Sequence, residues 1–108
     1  MEPIQDRLAR IYKHIDRAVA AVEGDRGASP VLLAVVREFQ KKSRKAHGII
    51  TQTSDQAVIR EAVVELEQAG DSAKAGADAD ASAAEETRKA VDLAHMSVCL
   101  LKGGAPEA

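Results

Sequence analysis

The chain has 108 residues, 45% of them hydrophobic and 30% charged, with a formal net charge of -2 and a pI near 5.9. That balance gives no global attraction to nucleic acid or to an anionic membrane, and the length suits one domain that folds without metals or disulfides. Tyr12 and Phe39 are the only aromatic residues, so aliphatic side chains and alanine must build the interior, a bias toward helices and away from sheets.

The segment Met1-Glu2-Pro3-Ile4-Gln5-Asp6 lacks the charged-then-apolar order of a secretory leader, and no apolar run approaches the roughly 18 residues of a membrane span. A first helix is expected from Pro3 to about Glu23, because Ile4, Leu8, Ile11, Ile15, Val19 and Val22 recur every three or four positions. Gly24 is expected to close it in a left-handed conformation. The run from Gly24 to Ser29 reads as a turn, and Ser29-Pro30 as a helix start.

The second helix should present Leu32, Val35, Val36, Phe39, Ser43, Ala46, Ile50 and Thr53 to the core, widened by Val31 and Ile49, and should end near Thr51. Thr53-Ser54-Asp55-Gln56 fits a capping box with Thr53 as cap, although one continuous helix through this point is the alternative. The third helix should bury Val58, Ile59, Ala62, Val63, Leu66 and Ala69. Half of the residues from Ala69 to Ala84 are alanine, which suits either a helix end or a linker. Matching a second helix of roughly 33 Å extends the third to about Ala77.

Ser82-Ala83-Ala84-Glu85 reads as a second capping box that opens the fourth helix, and Lys102 followed by Gly103-Gly104-Ala105-Pro106 closes it. Thr87, Val91, Ala94, Val98 and Leu101 form its core stripe, with Leu93 and Leu100 widening the apolar face. The fold predicted is an all-α, up-down-up-down antiparallel four-helix bundle over residues 1–102, with a disordered tail at 103–108. The alternative is a long helical hairpin, second and third helices continuous, completed by dimerisation. Alanines on helices three and four should let that pair approach closely.

Five cations on the second helix, Arg37, Lys41, Lys42, Arg44 and Lys45, form an exposed basic stripe. An anion or nucleic-acid contact through Arg37, Lys41, Arg44 and Lys45 is one functional reading. Two aromatics leave almost nothing for base stacking, which argues against nucleic acid as partner. From Asp55 to Glu86 the chain carries nine acids against Arg60 and Lys74; pairing of the two regions within one bundle is the simplest expectation.

His14, His47 and His95 fall on three different helices, beside the apolar stripes. Asp92 and His95 have one-turn spacing, but no paired Glu-x-x-His motifs exist, so neither metal nor cofactor is expected. His47 follows Lys45 and precedes Gly48, which suggests a phosphotransfer-like role. The lysine and glycine of such a motif, three and four positions on, are Ile50 and Thr51 here. Gly48 itself reads as a weak point or a close helix contact. Cys99 has His95 four positions earlier as its one candidate base, with no third residue evident. As the single cysteine it points to a reducing, cytoplasmic setting.

Five apolar residues lie off the heptad stripes: Leu33, Val64, Leu93, Met96 and Leu100. Their excess supports a non-enzymatic module for protein-protein interaction or oligomerisation, with Leu93, Met96 and Leu100 as its face and a second copy or another helix as partner.

Overall fold

A computed structural model describes residues 4–103, and side chains over residues 6–100. Four helices follow one another: α1 (Ile4–Glu23), α2 (Pro30–Gln52), α3 (Gln56–Ala79) and α4 (Glu85–Gly103). Each packs against two others, in the cycle α1–α2, α2–α3, α3–α4 and α4–α1. The linkers 24–29, 53–55 and 80–84 are too short to run back along a helix of 19 or more residues, so sequential neighbours are antiparallel. The result is the up-down-up-down bundle, 42 × 22 × 18 Å, one helix long and two helices thick.

The break between α2 and α3 removes the continuous-helix alternative. Thr53 is extended and terminates α2, while Asp55 caps α3 by accepting from the Ala57 amide. The capping box expected at Thr53 is absent: the cap lies two residues later, at Asp55, and the Thr53 hydroxyl oxygen accepts from the Asp55 amide instead. At the end of α1 the expected left-handed glycine is absent, since no described residue has positive φ. The Gly24 amide continues the helical pattern to the Ala20 carbonyl.

The core is aliphatic: Leu8, Ile11 and Ile15 from α1, Leu32 and Val36 from α2, Leu66 from α3, and Val91 and Val98 from α4 are almost wholly buried. Phe39 is the one large ring among them, fully enclosed. It fits because α3 presents small residues there: a Cβ on Gly70 would stand 3.1 Å from Phe39 Cζ and 3.5 Å from His95 Cδ2. The alanine-rich stretch is accordingly helix to Ala79, burying Ala69, Ala73 and Ala77. Its glycines serve the approach to α2 as well as α4, since Gly76 lies against Val35 and Leu32.

Three positions assigned to the core are outside it: Val31 in the first turn of α2, Val58 in the first turn of α3, and Thr53, which follows the end of α2 and is not buried. The tail expected at 103–108 begins later, since Gly103 is still in α4; the Leu101 side chain and residues 104–108 lie outside what is described. Buried Ser43 is accommodated by donating its hydroxyl to the Gln40 carbonyl, one turn back.

The two long linkers meet at one end of the bundle and cap each other's helices. Asp25 accepts from the Ala84 amide at 2.8 Å and the Thr87 hydroxyl at 2.7 Å, so the start of α4 is capped from the α1–α2 linker. Reciprocally, buried Asp80 accepts from the Ser29 amide at 2.7 Å, steadying the residue whose own hydroxyl oxygen caps α2 through the Leu32 amide. Ser82, expected as the α4 cap, has its hydroxyl 2.6 Å from the Gly27 carbonyl and 2.8 Å from Asp80, donating across the linkers instead. Gly27 must be glycine here, because a Cβ would overlap the Ser82 carbonyl.

These contacts hold both aspartates below their ordinary pKa of 3.8: Asp25 chiefly through the Ala84 amide, then Thr87 and Gly27, and Asp80 chiefly through the Ser29 amide, then the Ser82 hydroxyl. Because the folded-state values are depressed, the linked stability is fully present above the unfolded value and is lost as pH falls through the depressed values. Thermal melts should show wild type losing stability below about pH 4, a range set by the ordinary carboxylate pKa. In Asp25→Asn/Asp80→Asn the melting temperature should start lower at neutral pH and change less on acidification.

Two glycine-to-alanine changes should have opposite signs. Nothing lies within 4 Å of a Cβ built on Gly48, so Gly48→Ala should stabilise α2 by about 1 kcal/mol. Gly70→Ala drives a methyl into an enclosed ring and should be net destabilising, by about 1–2 kcal/mol. Denaturant midpoints measured on both variants check the pair.

Candidate functional site

Helix α4 buries Thr87, Val91, Ala94 and Val98. Successive residues turn by about 100°, so Leu93, Met96 and Leu100 project to the opposite side. They are 48%, 50% and 66% exposed, and their three-then-four spacing makes one apolar stripe along the outer surface of α4. Leu93 and Leu100 therefore do not widen the core face. Of the other off-stripe residues, Leu33 packs partly buried against the core, whereas Val64 stands exposed on α3.

The basic stripe of α2 is largely committed to neighbours. Arg37 pairs with Glu23 at 3.0 Å, while Lys42 and Lys45 both reach Glu65 at 3.3 Å. Lys45 and then Lys42 hold the Glu65 carboxyl below the usual carboxylate range. Lys41 and Arg44 are exposed, with no acidic partner in salt-bridge range among the described residues. So the expected pairing of basic and acidic regions operates across the α2–α3 seam, and of the four candidate anion contacts Arg37 and Lys45 are paired with acids.

The α3–α4 seam is polar on its outer side. Lys74 sits 2.8 Å from Asp92 and 3.3 Å from Asp78, and these partners, Asp92 first, raise its pKa. Asp92, considered as a companion of His95, is thus engaged with Lys74. The companion of His95 is Asp71, 2.7 Å from Nε2. Cys99 Sγ lies 3.6 Å from the same nitrogen and 4.0 Å from Nδ1, so Asp71 and Cys99 share one nitrogen instead of occupying the two ring nitrogens as a carboxylate–imidazole–thiol relay requires. Among the described residues no group of three or more His, Cys, Asp or Glu side chains has an arrangement that could hold a metal ion.

His47 is exposed on α2, and its ring meets Tyr12 edge-on with centroids 5.2 Å apart. Burial of the Tyr12 hydroxyl pushes its pKa up to about 12. His14 lies elsewhere, in a cleft between α1 and α4 that also involves Arg7, Arg10, Ile11, Ser97 and Leu100. Reading α1 for its apolar stripe alone passes over this cluster, although Arg7, Arg10 and His14 stand three and four positions apart. That spacing was the available signal.

No described helix is long and apolar enough to cross a membrane. Comparison with protein-family models, with curated proteins and with solved structures finds no match.

Proposed function

We propose that this bundle is a non-enzymatic protein-protein interaction module that docks through the outer face of α4, with a second copy of the chain as the first partner to consider. The observation that carries this reading is the exposed stripe of Leu93, Met96 and Leu100, on the side of α4 opposite buried Val91, Ala94 and Val98. Three large apolar side chains left in water on a helix whose other face is filled have no role in the core, and their i, i+3, i+7 pattern matches the anchors of helix-to-helix recognition.

Burying such a stripe stabilises association by about 25 cal/mol for each Å² of apolar surface removed from water. One stripe of three side chains offers a few kcal/mol at most, comparable to the low end of the 4–15 kcal/mol cost of immobilising two bodies, roughly speaking. A partner must therefore contribute an apolar face of its own, which a second α4 does. The association expected is weak and reversible. A single cysteine in contact with His95 fits the reducing, cytoplasmic setting proposed for it.

Sedimentation velocity over a wide concentration range tests the proposal. The sedimentation coefficient of wild type should rise with concentration, whereas Leu93→Asp and Leu100→Asp should remain monomeric with unchanged helical circular dichroism. A wild-type chain that stays monomeric at the highest concentration removes the homodimer, and identical behaviour of all three chains in the presence of any candidate helical partner removes the α4 face.

A further inference from the structure

Met96 stands at the centre of the exposed stripe of α4, three positions after Leu93 and four before Leu100, with half of its surface open to water. Among the described residues there are two sulfur atoms, and this is the more exposed of them. The other belongs to Cys99, which is half-buried with its Sγ 3.6 Å from His95 Nε2. Met1, the second methionine of the chain, lies outside the described residues.

Two physical facts give that position leverage. The core side of α4 is made by Val91, Ala94 and Val98, so the chemistry of Met96 can change while the bundle stays folded. Docking through three apolar side chains is also close to balance against the cost of immobilising two bodies. The loss of one anchor from the middle of the stripe therefore decides whether the face docks.

From this placement we infer that Met96 is an oxidation switch for the α4 face, turned off when a peroxide converts its thioether to the sulfoxide. A sulfur lone pair attacks one peroxide oxygen as the O–O bond breaks; that oxygen stays on sulfur and gives up its proton, and the other leaves with it as water. Sulfur is oxidised by two electrons and the peroxide is reduced by two. The new S–O group is polar and holds water. Leu93 and Leu100 offer it no donor, so covering the face then strands an acceptor. The inference rests on the docking reading of α4 and names its regulation. Because docking is reversible, the thioether is open to oxidant in the undocked chain, and enzymatic reduction of the sulfoxide restores the face.

Sedimentation velocity before and after limited hydrogen peroxide treatment tests the switch, in a Cys99→Ser parent that removes thiol chemistry, with peptide mass analysis locating the added oxygen on Met96. Oxidation should weaken self-association roughly tenfold or more, with helical circular dichroism and melting temperature retained, and methionine sulfoxide reductase should restore it. Met96→Leu should associate as the parent does and ignore peroxide although it keeps Met1, whereas Met96→Gln should associate weakly without any oxidant. Unchanged association of the parent once Met96 carries the oxygen overturns the switch and leaves the docking reading standing. Loss of association in peroxide-treated Met96→Leu also overturns it, by placing the effect on another residue. A parent that is monomeric at every concentration before treatment removes the homodimer, and the switch with it.

Discussion

The bundle depends on one close approach, that of the α3 backbone to the ring of Phe39. A chain with two aromatic residues has little bulk with which to fill a four-helix interior, so its density must come from short distances between helices. Ala69, Gly70, Ala73 and Ala77 provide them by presenting almost no side chain at the contact. Van der Waals attraction falls off steeply with separation, and aliphatic cores gain from every fraction of an ångström closed. Phe39 then acts as the single large wedge around which Leu32, Val36 and Leu66 assemble.

A second constraint acts at one end. The α1–α2 and α3–α4 linkers are joined by Asp25 and Asp80, each capping or steadying a helix that belongs to the other linker. Orphan amides at a helix start need acceptors, and a carboxylate there also meets the positive end of the helix dipole. Because each acceptor comes from across the bundle, the order of the linkers and the register of all four helices are tied together. The short Thr53–Asp55 turn at the other end has only its own local bonds.

Surface chemistry divides along the seams. On the α2–α3 side cations and acids neutralise one another around Glu65, and on the α3–α4 side Lys74 and His95 meet Asp92, Asp78 and Asp71. Exposed pairs of this sort contribute little to stability, each about 1 kcal/mol or less. They matter more for what they remove from the surface, since paired charges are poor recognition elements. What stays distinct is the apolar outer stripe of α4. The docking proposal rests on that stripe.

Most of the architecture was legible in the residue order. Helix positions, the core stripes of α1 and α4 and the Ser29-Pro30 start follow from a period of 3.6 residues and from caps that act within a few positions. The errors have one cause. Val31 and Val58 share the periodic pattern of core residues, but only the packing of the other helices decides that they stand in water. Ser82 has the local signature of a cap, yet a carboxylate 59 residues distant in the chain reaches the Ala84 amide instead. Likewise Asp71 and His95, or Arg7 and Leu100, are 24 and 93 positions apart. Sequence alone determined which face of each helix avoids water, because that is a property of spacing along one rod. Tertiary structure decided which polar groups meet, because those partners lie on different rods and are set by how the rods align.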